Sequence, residues 1–292
     1  MKILMVSPHF ELSEDPTPTG GVQKHISCVS RELRSRGHTV VWTYPHDTVT
    51  SNGQPVQTSG GLEWADWVVM HDFSSLQDVE KPNLMVFHGW EGQVPLNQAI
   101  VEIRRSIAKA AGATIAVGAY VPKWYGHEVD EVIWGAVDLP ENEPRIEVPN
   151  RAVWVGRLEP DTGCMEAIQG AVKLGFEVHC YGDGSLRIPI EKWRDGTLGA
   201  RVVLYGFVPN AAVNFSKASL ALPSGYLTYL EALVRRCRCA VTAGNPLKQD
   251  YWGLHPFPPG RDCDWTRAWE WSRKQTWAKV ADLYERLLEK QR

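Results

Sequence analysis

The sequence predicts an α/β protein built from two doubly wound parallel-sheet domains. Short apolar segments alternate with segments whose apolar residues recur at helical spacing, a pattern typical of βαβ units and of a parallel sheet. The alternation stops once, at a stretch rich in proline and glutamate near the middle of the chain, and then resumes. At 292 residues the chain is long enough for two cores.

The first predicted domain spans residues 1–139. Its opening strand, Ile3 to Val6, is continuously apolar, as expected for a sheet covered on both faces. A loop from Ser7 to Gly21 leads into a helix that ends at Gly37. Further strands are predicted at residues 39–44, 67–70, 84–87, 114–117 and 131–134, with a helix carrying Ile100, Ile103 and Ile107 on one face.

Residues 140–150 are predicted to be a linker, because they hold three prolines and three glutamates. The second domain, residues 151–272, follows. Its predicted strands are 152–155, 178–181, 202–205, 220–222 and 240–242, and its predicted helices are 165–173, 210–217 and 228–236. The last segment, residues 273–292, is predicted to be a helix whose apolar stripe faces a core.

Composition narrows the class of partner. A net charge of −3 argues against nucleic acid as a partner, and no apolar run is long enough to span a membrane. The opening apolar run is too short for a signal peptide. The spacings of the six cysteines fit neither a zinc site nor a disulfide framework, so we expect buried thiols and a cytoplasmic setting. Asp262 and Asp264 resemble a metal-binding pair but are predicted to cap a helix.

The junction around Glu231 carries the most information. A strand, the turn Pro223-Ser224-Gly225 and a helix starting near Thr228 follow one another. Such a junction at the carboxyl end of a parallel strand is where open α/β sheets bind ligands. Backbone N–H groups of residues 224–228 (Ser224, Gly225, Tyr226, Leu227 and Thr228) suit a phosphate, and the Glu231 carboxylate suits ribose hydroxyls. The alternative is a capping box in which Thr228 caps the helix and Glu231 reaches back to the N–H of this cap residue.

Other candidate residues lie at similar strand ends. Gly20 and Gly21 open the first helix, where they either approach an anion or form a plain turn. Arg157 follows Gly156, and its guanidinium pairs either with a diphosphate or with a neighbouring acid. His88 follows the strand 84–87. Two more glycine loops end strands of the second domain, and they contain Gly182 and the run Gly206, Phe207 and Val208.

Taken in order, these segments resemble the retaining glycosyltransferases of family four, which have the GT-B architecture. The matching motifs are Gly20-Gly21-Val22-Gln23 with His25, Val86-Phe87-His88-Gly89, Trp134-Gly135-Ala136-Val137-Asp138, Val155-Gly156-Arg157-Leu158 with Gly163, Gly206-Phe207-Val208-Pro209 and Leu230-Glu231-Ala232-Leu233. The resemblance implies two Rossmann-like domains facing a cleft, with the terminal helix packing back on the first domain.

The resemblance also implies the chemistry. The activity would be metal-independent transfer of a sugar, with retention, from a UDP- or GDP-linked donor to an acceptor hydroxyl on a glycan, a lipid-linked molecule or a protein. Glu231 would hold the ribose, Arg157 and Thr162 would lie at the diphosphate, and residues 206–208 would line the base. Gly20, Gly21 and His88 would approach the donor from the first domain. His9 and Asp15 are the candidate acceptor contacts.

Two departures from the family pattern leave rival hypotheses open. Thr162 stands where the family has a lysine, and the first of the family's two glutamates has no counterpart, with Pro223 in that region. One rival is a protein of this fold that binds nucleotides or nucleotide sugars without catalysis. A second is a DNA-modifying GT-B glucosyltransferase, which the acidic net charge disfavours. A dehydrogenase is disfavoured because no G-x-G-x-x-G motif is present.

Overall fold

The computed structural model describes residues 1–7, 20–43, 49–51, 54–56, 64–72, 82–89, 95–141 and 143–291. The candidate acceptor residues His9 and Asp15 lie outside these ranges. The chain divides into two compact units. The first unit holds residues 1–135 with 277–292, and the second unit holds residues 136–276. The limits predicted for the linker and for the two domains stay predictions.

The first unit is built on a six-stranded parallel sheet with the strand order β2-β1-β5-β6-β7-β8. In its two central strands every residue except Val68 is buried, as in a sheet covered on both faces. A separate antiparallel pair joins β3 and β4. The strands are β1 (Lys2–Val6), β2 (Thr39–Thr43), β3 (Val49–Ser51), β4 (Gln54–Val56), β5 (Trp67–His71), β6 (Leu84–Phe87), β7 (Ala113–Val117) and β8 (Glu131–Ile133).

The carboxyl-terminal helix belongs to the first unit, as predicted. The helices of this unit are α1 (Gly21–Ser35), α2 (Gln98–Ala110), α3 (Tyr120–Tyr125) and α9 (Trp277–Glu289). α9 buries Val280, Leu283, Tyr284, Leu287 and Leu288. At its surface, the Arg36 guanidinium at the end of α1 donates to Asp282 and Glu285, each at 2.6 Å. The contact between Arg36 and Asp282 spans 246 residues of sequence, so the end of the chain packs against its first helix in this unit.

The second unit is built on a four-stranded parallel sheet with the order β11-β10-β9-β12. Helices α4 and α5 and one face of the sheet form its main core around Trp154, Ile168 and Cys180. The elements are β9 (Val148–Val155), α4 (Cys164–Lys173), β10 (Glu177–Tyr181), α5 (Arg187–Asp195), β11 (Val202–Gly206), β12 (Ala218–Pro223), α6 (Tyr226–Val234), α7 (Pro246–Gly253) and α8 (Trp265–Ser272).

The second unit differs from the sequence prediction in its details. β9 begins at Val148, within the stretch predicted to be linker, and the helix predicted at 210–217 is a 3-10 helix. The strand predicted at 240–242 is wrong. Cys239 makes an isolated bridge with Ala221, and the Ala240 N–H donates to the Ala221 carbonyl. The chain then leaves the sheet, and the Thr242 hydroxyl donates to the carbonyl of Gly163.

Two smaller expectations hold. Cys28, Cys164 and Cys180 are buried free thiols, and the other three cysteines are also unbridged. The Asp264 carboxylate accepts from the Arg267 N–H and caps α8, so the Asp262 and Asp264 pair is a helix cap as predicted. Within the described ranges, no helix is long and apolar enough to cross a bilayer.

Candidate functional site

The loops that follow the four strands of the second unit touch one another at the carboxyl edge of the sheet. The Gly156 N–H donates to the Tyr181 carbonyl at 3.0 Å, and the Gly182 N–H donates to the Gly206 carbonyl at 2.7 Å. The Ser224 hydroxyl donates to the Val155 carbonyl at 3.2 Å. The structure therefore brings together the predicted residues of all four strand ends.

The two central glycines of this edge are required by close backbone approach. Gly156 and Gly182 have φ angles of +150° and +143°, which side chains rarely adopt. A Cβ on Gly182 would lie 1.9 Å from the Gly156 carbonyl oxygen, and one on Gly156 would lie 2.4 Å from the Ser224 Oγ. Larger residues would push the loops apart, so the glycines fix a backbone surface that a ligand can approach closely.

The helix that follows β12 begins at this edge with an open first turn. α6 starts at Tyr226, with Gly225 as its N-cap residue. The Tyr226 N–H donates to the hydroxyl of Tyr251 at 2.6 Å. The N–H groups of Leu227 and Thr228 have no hydrogen-bond partner among the residues that the structure describes. These two donors, at the positive end of the helix dipole, are suited to an anion.

The capping box predicted as the alternative role for Glu231 is wrong. Thr228 is the third residue of α6, and its Oγ1 accepts from the N–H groups of Ser224 and Gly225 at 3.1 and 3.2 Å. Thr228 therefore performs the capping itself, and Glu231 is a turn further on. Glu231 is only 8% exposed. Because residues three and four apart share a helix face, Glu231 lies on the face that carries Leu227 and Thr228.

Arg157 and Thr162 lie in one loop whose contacts are local. The Arg157 side chain is 58% exposed and pairs with Asp161 at 2.7 Å, which is the neighbouring-acid alternative. The Thr162 hydroxyl donates to the carbonyls of Glu159 and Arg157 at 2.6 and 3.2 Å, so it shapes the turn. The loop is tied to the next one, since Glu159 accepts from the Ser185 N–H and hydroxyl, which lower its pKa.

Lys248, on α7, also lies at this edge, although no sequence pattern pointed to it. Its Nζ lies 3.3 Å from the carbonyl oxygen of Ser224 and 4.1 Å from the centre of the Tyr251 ring. The side chain is largely buried, with the residue 7% exposed. No local motif marks Lys248, because the contact spans 24 residues and depends on how α7 packs.

The predicted residues Gly20, Gly21 and His88 lie in the first unit, where they follow its strands or begin its first helix. Gly20 is the N-cap residue of α1 in an extended conformation, and Gly21 is the first helical residue. The His88 N–H donates to Asp72 at 2.9 Å, and the Tyr120 hydroxyl donates to the His88 carbonyl at 2.7 Å. Asp72 was not among the predicted site residues. Its position shortly after the predicted strand 67–70 was the sequence signal that could have indicated it.

Three histidines meet at this edge. Nitrogens of His25, His71 and His88 lie within 4.8 Å of one another, and within the described part of the chain this is the group suited to a metal ion. Burial is the main cause that lowers the pKa of His25 and of His71 well below the usual value, and the nearby charge of His88 is the second cause. Both rings are therefore neutral near pH 7. His71 Nδ1 lies 3.1 Å from His88 Nε2, and His25 Nε2 lies 2.8 Å from the Tyr284 hydroxyl. These two hydrogen-bond contacts are sufficient to hold the His25 and His71 rings close to His88 without a metal ion.

Sequence comparisons return no relative. No protein-family model matches the chain, and no curated protein sequence matches it. Solved structures do match. AviGT4, a glycosyltransferase involved in avilamycin A biosynthesis, aligns with a TM-score of 0.56 and 14% identity, over 99% of this chain and 97% of AviGT4. WaaG, a glycosyltransferase involved in lipopolysaccharide biosynthesis, aligns with a TM-score of 0.51 and 13% identity, over 99% and 98% of the two chains.

A third similar structure is an alpha-glucosyltransferase in complex with UDP and a 13-mer DNA containing a central A:G mismatch. Its TM-score is 0.52 and its identity is 13%, with 99% of this chain and 93% of that one covered. The two parallel-sheet units match the GT-B glycosyltransferase fold. At these identities the likeness concerns the fold, and the reaction has to be argued from the residues.

Proposed function

We propose that this protein is a metal-independent, retaining glycosyltransferase that uses a UDP- or GDP-linked sugar. The observation that carries the proposal is the open first turn of α6, with the N–H groups of Leu227 and Thr228 beside the crowded glycine loops at Gly156 and Gly182. An anion-binding helix start at the carboxyl edge of a parallel sheet suits the diphosphate of a nucleotide. The GT-B fold, shared with solved glycosyltransferases, supports sugar transfer as the class of reaction.

Each part of the donor has a proposed contact in the second unit. The diphosphate binds the N–H groups of Leu227 and Thr228, and the Arg157 guanidinium exchanges Asp161 for a phosphate oxygen. The ribose hydroxyls donate to Glu231. The base lies along residues 206–208, where Phe207 is 58% exposed and offers an aromatic face. UDP is bound in the alpha-glucosyltransferase structure of the same fold, which favours uracil as the first base to test.

The proposed reaction exchanges one bond to the anomeric carbon for another. The bond between this carbon and the diphosphate oxygen breaks, and its electron pair stays on that oxygen. The acceptor oxygen bonds to the carbon from the same face, and its proton leaves to the diphosphate or to solvent. Positive groups that hold the departing diphosphate lower the barrier, because negative charge grows there in the transition state. The donor contacts expected of Gly20, Gly21 and His88 stay predictions.

A turnover assay tests the proposal. The protein is incubated with UDP- and GDP-linked sugars and a panel of glycan, lipid-linked and peptide acceptors, and release of the nucleotide is followed. We expect release with at least one donor, no loss of activity in EDTA, and a product whose anomeric configuration equals that of the donor. Binding of nucleotide without turnover of any donor would favour the rival hypothesis of a binding protein that lacks catalysis.

A DNA acceptor is the second candidate, because the similar alpha-glucosyltransferase was solved with UDP and DNA. The net charge of −3 argues against it, since DNA binding depends on neutralising phosphates. Electrophoretic mobility shifts at low and high salt distinguish a DNA acceptor from the glycan, lipid-linked and protein acceptors. We expect no shift of a DNA duplex at low salt. A salt-sensitive complex, together with sugar transfer to the DNA, would replace the acceptor classes named above.

A further inference from the structure

We infer that the three-histidine cluster of the first unit, His25, His71 and His88, binds a divalent transition metal, with Zn²⁺ as the first ion to test. One ring nitrogen from each histidine lies within 4.8 Å of the others. Helix α1 supplies His25, the end of β5 supplies His71, and the loop after β6 supplies His88. The inference goes beyond the proposed function, because the ion takes no part in the transfer reaction and stabilises the first unit.

The spacing of the ring nitrogens suits a single ion. Zn–N bonds of about 2.0–2.1 Å in tetrahedral geometry place two ligating nitrogens about 3.3–3.4 Å apart. His71 Nδ1 and His88 Nε2 lie 3.1 Å apart, and the His25 and His88 rings meet edge to face with their centres 4.9 Å apart. Hydrogen bonds hold these rings together before an ion binds, so the site is preformed.

His71 has a buried ring nitrogen that the protein leaves unused. The residue is fully buried, and its Nε2 has no hydrogen-bond partner among the residues that the structure describes. Leaving a buried polar atom unpaired is destabilising. An ion bound at Nε2 gives this atom its missing partner, and an ion bound at Nδ1 takes the place of the hydrogen bond to His88. Imidazole nitrogens are ligands that suit zinc, copper, iron and nickel.

The surroundings keep the rings in the form that a metal requires. Ligating imidazoles have to be neutral, and burial, the largest cause, lowers the pKa of His25 and His71 well below the usual value. Contacts outside the cluster orient the rings, as second partners of ligating histidines do. His25 Nε2 lies 2.8 Å from the Tyr284 hydroxyl, and the His88 N–H donates to Asp72 at 2.9 Å. His88 is only partly buried, which leaves a path for an ion.

Metal titration of the apo protein tests the inference. Wild type, His71→Asn and the control His127→Asn, whose ring belongs to the same unit but not to the cluster, are treated with EDTA and then titrated with ZnCl₂ or CoCl₂. We expect wild type to bind one Zn²⁺ per chain, measured by plasma mass spectrometry. Its Tm should rise with Zn²⁺ concentration, because the ion binds the folded state. His71→Asn should bind Zn²⁺ at least tenfold more weakly, and His127→Asn should match wild type.

The Co²⁺ form reports on the ligands directly. Wild type should show the visible absorption bands of tetrahedral Co²⁺, and His71→Asn should lose them. If His71→Asn does not fold by circular dichroism, His88→Asn at the partly exposed edge of the cluster is titrated in its place. Loss of the Co²⁺ bands in a folded variant then supports the site.

Two results would overturn the inference. One is that wild type retains no Zn²⁺ and shows no shift in Tm with Zn²⁺ or Co²⁺. The other is equal metal affinity in wild type and the folded cluster variant, which would place the ion elsewhere on the chain. Neither result touches the proposed transferase, whose reaction needs no metal. Conversely, a protein that binds Zn²⁺ at the cluster but releases nucleotide from no donor would sink the proposed function and leave the metal site standing.

Discussion

The hydroxyl of Thr228 stabilises the turn between β12 and α6, on which the proposed site depends. Its Oγ1 accepts from the N–H groups of Ser224 and Gly225, and it donates to the Gly225 carbonyl at 3.0 Å. One side chain therefore satisfies two backbone donors at the point where β12 passes into α6. Because the loop has no cap from Gly225 itself, the stability of this junction depends on Thr228.

Loss of this hydroxyl has a predictable cost. We expect Thr228→Ala to lower the free energy of unfolding by about 1 kcal/mol, the usual cost of removing a capping side chain. Thr228→Ser keeps the oxygen and should stay within about 0.5 kcal/mol of wild type. Urea denaturation followed by circular dichroism measures both. A Thr228→Ala protein as stable as wild type would mean that water replaces the hydroxyl at no cost.

His255 gives stability a dependence on pH. Burial among Tyr226, Tyr229 and Trp271 lowers the pKa of His255 to about 4, although its contact with the Phe257 carbonyl opposes the shift. An unfolded histidine titrates near pH 6.5. Between about pH 6.5 and 4 the unfolded chain binds a proton that the folded chain does not, so stability is complete above this window and falls as the pH is lowered through it.

The expected slope from His255 is up to about 1.4 kcal/mol per pH unit. His255→Asn keeps an acceptor for the Phe257 N–H while it removes the titrating ring. The free energy of unfolding, measured at several values between pH 4 and 7, should fall less steeply in this variant than in wild type. Parallel curves for the two proteins would show that His255 is not kept neutral by the fold.

At the scale of elements, α9 completes the first unit. Its buried face includes Leu288, which is fully inaccessible, while Glu289 beside it is exposed. We expect Leu288→Ala to lower the free energy of unfolding by about 2–5 kcal/mol, as large-to-small core changes do, and Glu289→Ala to change it by less than about 0.5 kcal/mol. Thermal and urea unfolding check both. Similar stability in the two variants would contradict the packing of α9 in this unit.

Elements with a strong apolar pattern were predictable, and those decided by single contacts were not. The strand Leu84–Phe87 was predicted with its observed bounds, because a fully apolar run has to be buried on both faces. The predicted start of α6, near Thr228, is two residues late. Thr228 lies inside the first turn, and its hydroxyl accepts from the N–H groups of the preceding residues Ser224 and Gly225. Residues 240–242 were predicted as strand, but the chain leaves the sheet after Ala240, and the Thr242 hydroxyl donates to the Gly163 carbonyl instead.

At the scale of the whole molecule, the order of motifs predicted the GT-B fold and the convergence of the strand ends in the second unit. Lys248 could not be predicted, because its place at the start of α6 follows from the packing of α7 and from no sequence motif. His25 belongs to a motif that the sequence showed, but its meeting with His71 and His88 follows from the packing of the first unit and was not predictable. Single residues at several strand ends were thus accessible to sequence reasoning, whereas contacts between residues of different elements required the structure.

The central claim is that the second unit binds a nucleoside diphosphate through α6, and titration calorimetry of UDP and GDP tests it most directly. Wild type, Glu231→Ala and the exposed control Glu270→Ala are compared. We expect wild type and Glu270→Ala to bind at least one of the two nucleotides equally well. Glu231→Ala should bind it at least tenfold more weakly, a loss of about 1.4 kcal/mol, with little change in stability. Absence of binding to wild type, or equal affinity in Glu231→Ala, would contradict the account.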